Sequence, residues 1–196
     1  MRPSALSTTA SDRAADRRLL QGGQEYFPAL IEALDGARRC IQLETYIFDV
    51  HGAGALVAHA LMRAAERGVR VQVLVDGLGT PDLPPAWLTQ MHSAGVQWRV
   101  FAPLGRSWTY ARLLLAPSYW RRLHRKLCVV DEQLLFCGGI NVLDDLYDPN
   151  HGELQAPRFD FAVRLEGPVA QQAAQAMALL WEGETARPSA RPAKRF

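Results

Sequence analysis

The chain has 196 residues and a mass of 21.8 kDa, room for one domain of ordinary size. Apolar residues make up 48%, enough for a real core, yet no apolar run approaches the roughly 20 residues of a membrane-spanning helix. Net charge is +2, and the opening twenty residues hold no apolar stretch of the length a secretory signal uses.

Residues 1–22 are polar, small and charged, and read as a disordered leader. Tyr26, Phe27, Leu30, Ile31 and Leu34 then recur at helical spacing, so residues 24–37 are expected as an amphipathic helix. Ile41 to Phe48 alternates and reads as a strand. Ala55 to Arg67 is a helix stopped by Gly68. Val69 to Val75 is a second strand, running into Asp76. Pro84 and Pro85 open a helix that Gly95 closes, and Val96 to Phe101 is a third strand. Strand–helix–strand alternation of this kind implies right-handed crossovers and a largely parallel sheet.

Residues 102–120 break the pattern and form a long loop or short amphipathic insert. Two strands follow, Lys126 to Asp131 and Leu134 to Cys137, joined by a tight turn at Glu132-Gln133 and ended by Gly138-Gly139. Residues 142–157 are a polar loop, Phe159 to Leu165 is a last strand, and an alanine-rich helix runs from Gly167-Pro168 to about Trp181. Residues 183–196 read as a linker or tail. The domain therefore spans 23–182.

Charge is unevenly placed. Between Asp82 and Asp131 there is no acid, while Arg99, Arg106, Arg112, Arg121, Arg122, Arg125 and Lys126 supply seven cations. Trp87, Trp98, Trp108 and Trp120 lie in the same stretch, a combination that suits an anionic partner with an apolar side. Cys40, Cys128 and Cys137 sit inside apolar runs without a Cys-x-x-Cys pair, and read as buried thiols.

The chain holds two lysines, Lys126 and Lys194, and only the first lies in the expected domain. Lys126 stands two residues after His124, so strand alternation puts both on one face with Arg125 opposite. Asp131 completes His-x-Lys-x-x-x-x-Asp, a pattern expected by chance about 0.003 times in a chain of this composition, so coincidence is a poor account of it. An imidazole can attack phosphorus, and a neighbouring ammonium can neutralise a phosphate oxygen as charge develops. Asp131 has the opposite parity and reads as a turn or ion-pair residue. Gly138-Gly139 allows close backbone approach, and Asn141 offers an amide donor near the same phosphate. Asp49 and Asp76, at strand ends, read as loop-holding residues.

His124 to Asp131, followed by Gly138-Gly139-Ile140-Asn141, resembles the motif of the phospholipase D superfamily. Glu44-Thr-Tyr-Ile-Phe, Arg67 to Gly77, and Asp160 to Val169 resemble the bacterial B-type cardiolipin synthases, and the likeness covers about residues 24–182. The resemblance implies an α/β sandwich, a mixed and mostly parallel sheet with helices on both faces. It implies a catalytic set of His124, Lys126, Asp131 and Asp160, with His124 as nucleophile and Asp160 accepting a hydrogen bond from its second nitrogen. Lys126, Gly139 and Asn141 would hold the phosphate, Glu44 would support the site from behind, and no metal or cofactor is implied.

The implied function is phosphatidyl transfer that makes cardiolipin from phosphatidylglycerol, at the cytoplasmic face of a bacterial inner membrane. The implied partners are anionic phospholipid and a second His-x-Lys-x-x-x-x-Asp half, since the family carries two such motifs and this chain carries one. That half would come from a longer chain or from a homodimer. A homodimeric endonuclease and a non-catalytic lipid-binding half-enzyme are the alternatives, with nucleic acid disfavoured by the tryptophan-rich insert.

Overall fold

The computed structural model describes residues 17–80, 83–103, 121–148 and 152–185. Strands β1 (Arg17–Gln21), β2 (Cys40–Thr45), β3 (Arg70–Asp76), β4 (Gln97–Phe101), β5 (Leu127–Val130), β6 (Leu134–Gly138) and β9 (Phe161–Glu166) form one sheet. Its order is β1-β9-β6-β5-β2-β3-β4. A two-stranded ribbon, β7 (Tyr147–Asp148) and β8 (Gly152–Glu153), lies within the expected polar loop. Helices α1 (Gly22–Gly36), α2 (Gly52–Glu66) and α3 (Pro85–Ala94) precede the motif, and α4 (Pro168–Thr185) closes the described chain.

The helix ends follow local chemistry. Pro85 starts α3 where its missing N–H is not needed, and Gly95 ends it at φ 97°, a left-handed conformation that favours glycine. Gly68, at φ 87°, follows α2 in the same way.

The sheet alternates as its strands require. Ile41 and Leu43 of β2, Val71, Val73 and Val75 of β3, Cys128 and Val130 of β5, and Phe136 of β6 pack in the core formed with α1, α2 and α3. Val129 and Leu135 pack on the other side with Ala170, Ala174 and Met177 of α4. Helices thus cover both faces, as expected. Cys128 is fully buried, and burial pushes its thiol up to about 12.

The expected predominance of parallel pairing needs correction. Among the described strands of this sheet, β2–β3 and β3–β4 pair parallel, whereas β1–β9, β9–β6, β6–β5 and β5–β2 are antiparallel. The physical reason is connection length. Helices α2 and α3 carry the chain back for parallel pairing, whereas β5 and β6 are joined by Asp131 to Gln133, too short for anything but a hairpin. Asp131 and Glu132, at φ 54° and 58°, make the turn, one residue earlier than expected.

Two boundaries also move. The leader expected over 1–22 gives way at Arg17, because Arg17–Gln21 pairs antiparallel with β9 and buries Leu20 completely. Four of these five residues face water, which hides an edge strand behind a polar composition. Helix α4 runs to Thr185, past the boundary expected at residue 182.

Candidate active site

Antiparallel pairing gathers several chain ends at one end of the sheet. The start of β5 lies beside the end of β6, the end of β6 beside the start of β9, and the end of β2 beside the start of β5. His124 and Lys126, Gly138-Gly139 and Asn141, Asp160, and Tyr46 therefore converge, although more than 110 positions separate the first from the last.

His124 is exposed, and its ring lies against Tyr46 with centroids 5.0 Å apart. Lys126 is buried, at 8% exposure; its ammonium donates to the His124 carbonyl at 3.1 Å and stands 5.4 Å from the centre of the same tyrosine ring. Burial lowers the Lys126 ammonium below its ordinary value, against an opposing pull from Asp160. The lysine is thus a cation short of water, in want of anionic company.

Asp160 lies tight against Gly139. A Cβ on that glycine would meet Asp160 Oδ1 at 2.0 Å, so any side chain there displaces the Asp160 carboxylate, and Oδ1 accepts the Phe161 N–H at 2.8 Å. Asp160 thereby faces Lys126 electrostatically, while among the described residues no hydrogen bond joins it to His124. Asn141 Oδ1 accepts the Ile47 N–H at 3.0 Å, so the amide's donor atom, Nδ2, is the end with hydrogen-bonding capacity for a phosphate.

Two expected site residues stand elsewhere. Asp131 is at the far end of β5, where its carboxylate accepts backbone N–H groups from Arg38, Arg39 and Cys40 at 2.7–3.0 Å. Burial raises this carboxyl, but the three N–H donors and the Arg39 charge outweigh it and hold the group below its ordinary value. It closes the turn before β2 and touches no phosphate-binding group, as its parity implies.

Glu44 points to the α4 face, opposite Lys126, beside Gln42, Gln72, Met177 and Trp181. One oxygen accepts from Arg125 at 2.9 Å and the other lies 2.7 Å from the same nitrogen without hydrogen-bond geometry. Burial, only partly offset by Arg125, pushes its carboxyl up to about 7. Glu44 therefore holds Arg125, the residue between His124 and Lys126, from the opposite face of the sheet.

Tyr46 is the member that alternation does not reveal. It is two residues beyond Glu44, yet β2 ends at Thr45, and the broken period turns its ring to His124. Its only sequence signal is its place inside Glu44-Thr-Tyr-Ile-Phe. Trp98 packs edge-on against Phe48 at 5.1 Å and Trp87 lies beside His59, so two of the four clustered tryptophans belong to the core margin. Trp108, Trp120 and nearly all of the 102–120 insert lie outside the described residues. Among the described residues, no group of three or more His, Cys, Asp or Glu could hold a metal ion, and no helix is long and apolar enough to cross a membrane.

A family model described as "Cardiolipin synthase, PLD-like domain" matches residues 30–154, which include Glu44, His124, Lys126, Asp131, Gly139 and Asn141 and stop short of Asp160. Cardiolipin synthase B of Salmonella typhi is 40% identical over 154 residues, 78% of this chain and 35% of that protein. Cardiolipin synthase B of Escherichia coli K12 is 36% identical over 160 residues, 81% of this chain and 36% of that protein. The chain thus spans about a third of the length of the curated relatives it matches. Among solved structures, Nuc from Salmonella typhimurium, a phospholipase D family member, superposes with a TM-score of 0.60 at 17% identity, over 86% of this chain and 95% of that one. NucT from Helicobacter pylori superposes with a TM-score of 0.59 at 15% identity, over 86% and 96%. At such identities these two share the fold.

Proposed function

This chain belongs to the family of cardiolipin synthase phospholipase D-like domains, and we propose that it performs phosphatidyl transfer through a phosphohistidine, making cardiolipin from phosphatidylglycerol. The observation that carries this reading is the pairing of an exposed imidazole with a water-starved ammonium, His124 and Lys126, beside the Asn141 amide.

In the first half-reaction a ring nitrogen of His124 attacks the phosphorus of a phospholipid. The N–P bond forms and the P–O bond to the headgroup glycerol breaks. Lys126 and the Asn141 Nδ2 offset charge on the non-bridging oxygens as the transition state forms. The departing alkoxide needs a proton from the side opposite the nucleophile. In the second half-reaction the glycerol hydroxyl of another phosphatidylglycerol attacks phosphorus, its proton passes to the group that earlier protonated the alkoxide, and the N–P bond breaks to return His124 free.

The proton donor is proposed to be the histidine of a second His-x-Lys-x-x-x-x-Asp half, from a longer chain or from a homodimer. The membrane partner is proposed to be an anionic leaflet met peripherally from the cytoplasmic side. Incubation with phosphatidylglycerol labelled at phosphorus, quenched in denaturing detergent at neutral pH because the N–P bond is acid-labile, tests the reading: label on histidine is expected in the unsubstituted chain and absent in His124→Asn, and label persisting in the variant refutes it. The alternative reading, a homodimeric endonuclease, is tested on the same sample. Turnover of DNA in place of lipid by the same sample would favour it.

A further inference from the structure

His124 is not held by a strand. β5 begins at Leu127, residues 121–126 are irregular, and the first backbone bond after His124 that ties them to the sheet is Gly138 N–H to the Lys126 carbonyl at 3.3 Å. Something else must fix the backbone that enters the histidine.

Asp76, the last residue of β3, stands there with no exposure at all. Its Oδ2 accepts the Leu123 N–H at 2.7 Å. Its Oδ1 accepts the Leu78 and Gly79 N–H groups at 2.8 and 3.2 Å and faces the Arg122 guanidinium at 3.3 Å. The Leu123 side chain is itself buried with Leu74, Phe101 and Trp181. Hydrogen bonds to a buried carboxylate are charge-assisted and worth more than neutral ones. The same turn braces the other side of His124. A Cβ on Gly79 would meet the Tyr46 carbonyl at 2.5 Å and its ring at 2.7 Å, and the Thr80 hydroxyl donates to that carbonyl at 2.9 Å while accepting the Phe48 N–H at 3.2 Å.

We propose that Asp76 is a positioning residue for His124: its carboxylate locks the Leu123 backbone to the Asp76–Thr80 turn and so sets where the imidazole stands against Tyr46 and Lys126. It does not touch substrate. The inference rests on His124 as the phosphorus nucleophile, for which a displacement of 1 Å costs about 100-fold in rate. Asp76→Asn keeps the shape but leaves one accepting oxygen, so either Leu123 or the 78–79 amides lose their acceptor.

Two measurements on the full chain separate this inference from the functional reading. Hydrogen exchange of the unsubstituted protein needs no variant: the Leu123 amide should exchange at least about tenfold more slowly than that of exposed Arg121. Equal rates overturn the proposal. In Asp76→Asn the His124 ring resonances should move, and labelling of His124 by phosphatidylglycerol should slow about 100-fold with its lipid-concentration dependence unchanged, a split that mere loss of stability does not produce. Unmoved ring resonances, or labelling at the unsubstituted rate, overturn the proposal. If neither protein is labelled, the nucleophile assignment fails, and the Leu123 exchange and the His124 resonances still decide whether Asp76 positions the ring.

Discussion

Glu44→Gln tests the placement of the buried acid on the α4 side of the sheet. The folded carboxyl titrates at about 7 against an ordinary 4.5, because burial outweighs what Arg125 returns. Between those values the folded state holds a proton that the unfolded chain has released, so stability falls as pH rises. The contribution is complete below pH 4.5 and gone above about 7. Integrated across the window, it is worth about 3 kcal/mol. Glutamine keeps the shape, carries no charge, and still offers Arg125 an accepting oxygen, so the variant should lack this slope. Urea unfolding from pH 4.5 to 8 measures it, with the variant gaining on the unsubstituted protein by about 3 kcal/mol as pH rises and the urea slope unchanged. Histidine labelling by lipid should survive, since Glu44 faces away from Lys126. Parallel stability curves for the two proteins would refute the buried-acid assignment, and lost labelling would return Glu44 to the site.

Gly139→Ala should push Asp160 off its position, destabilise the fold by about 1–3 kcal/mol through overpacking, and slow His124 labelling at least tenfold, by roughly the cost of a misplaced group; thermal melting and labelling rates check both. Asp131→Ala should cost roughly 1–2 kcal/mol by stranding three backbone donors, with labelling intact. Because its carboxyl titrates below the ordinary value, the stability it confers is present above pH 3.8 and is lost as pH falls through the lower folded value, which acid unfolding of both proteins measures. Liposome flotation should need anionic lipid, weaken with salt, and fall when Trp108 and Trp120 are both replaced by alanine.

The amino-acid sequence by itself set the candidate pair on one face of a strand. His124 and Lys126 are two apart, and a period of two decides that they share a face with Arg125 opposite. The same parity set Asp131 apart as a turn residue, against the catalytic place that the family resemblance implied for it, and glycine's freedom at positive φ marked the ends of α2 and α3 at Gly68 and Gly95. These are consequences of local geometry, which a chain carries in its residue order.

What only the tertiary structure decided depends on partners far apart in the chain. Whether β5 pairs parallel or antiparallel with β2 is a property of two segments more than 80 residues apart, and it determines that Tyr46 stands near Lys126, as the β5–β6 and β6–β9 pairings do for Asp160. β1 escapes notice because an edge strand needs only one buried side chain, Leu20, to pair with β9. Glu44 looks the same in sequence whether it faces substrate or Arg125, and the face is chosen by the register of the whole sheet. Asp76 reads as an ordinary strand-end acid until folding brings Leu123, 47 positions later, onto its carboxylate. Burial then makes a residue of unremarkable composition the brace of the histidine, because a carboxylate without water must find its hydrogen bonds in the backbone around it.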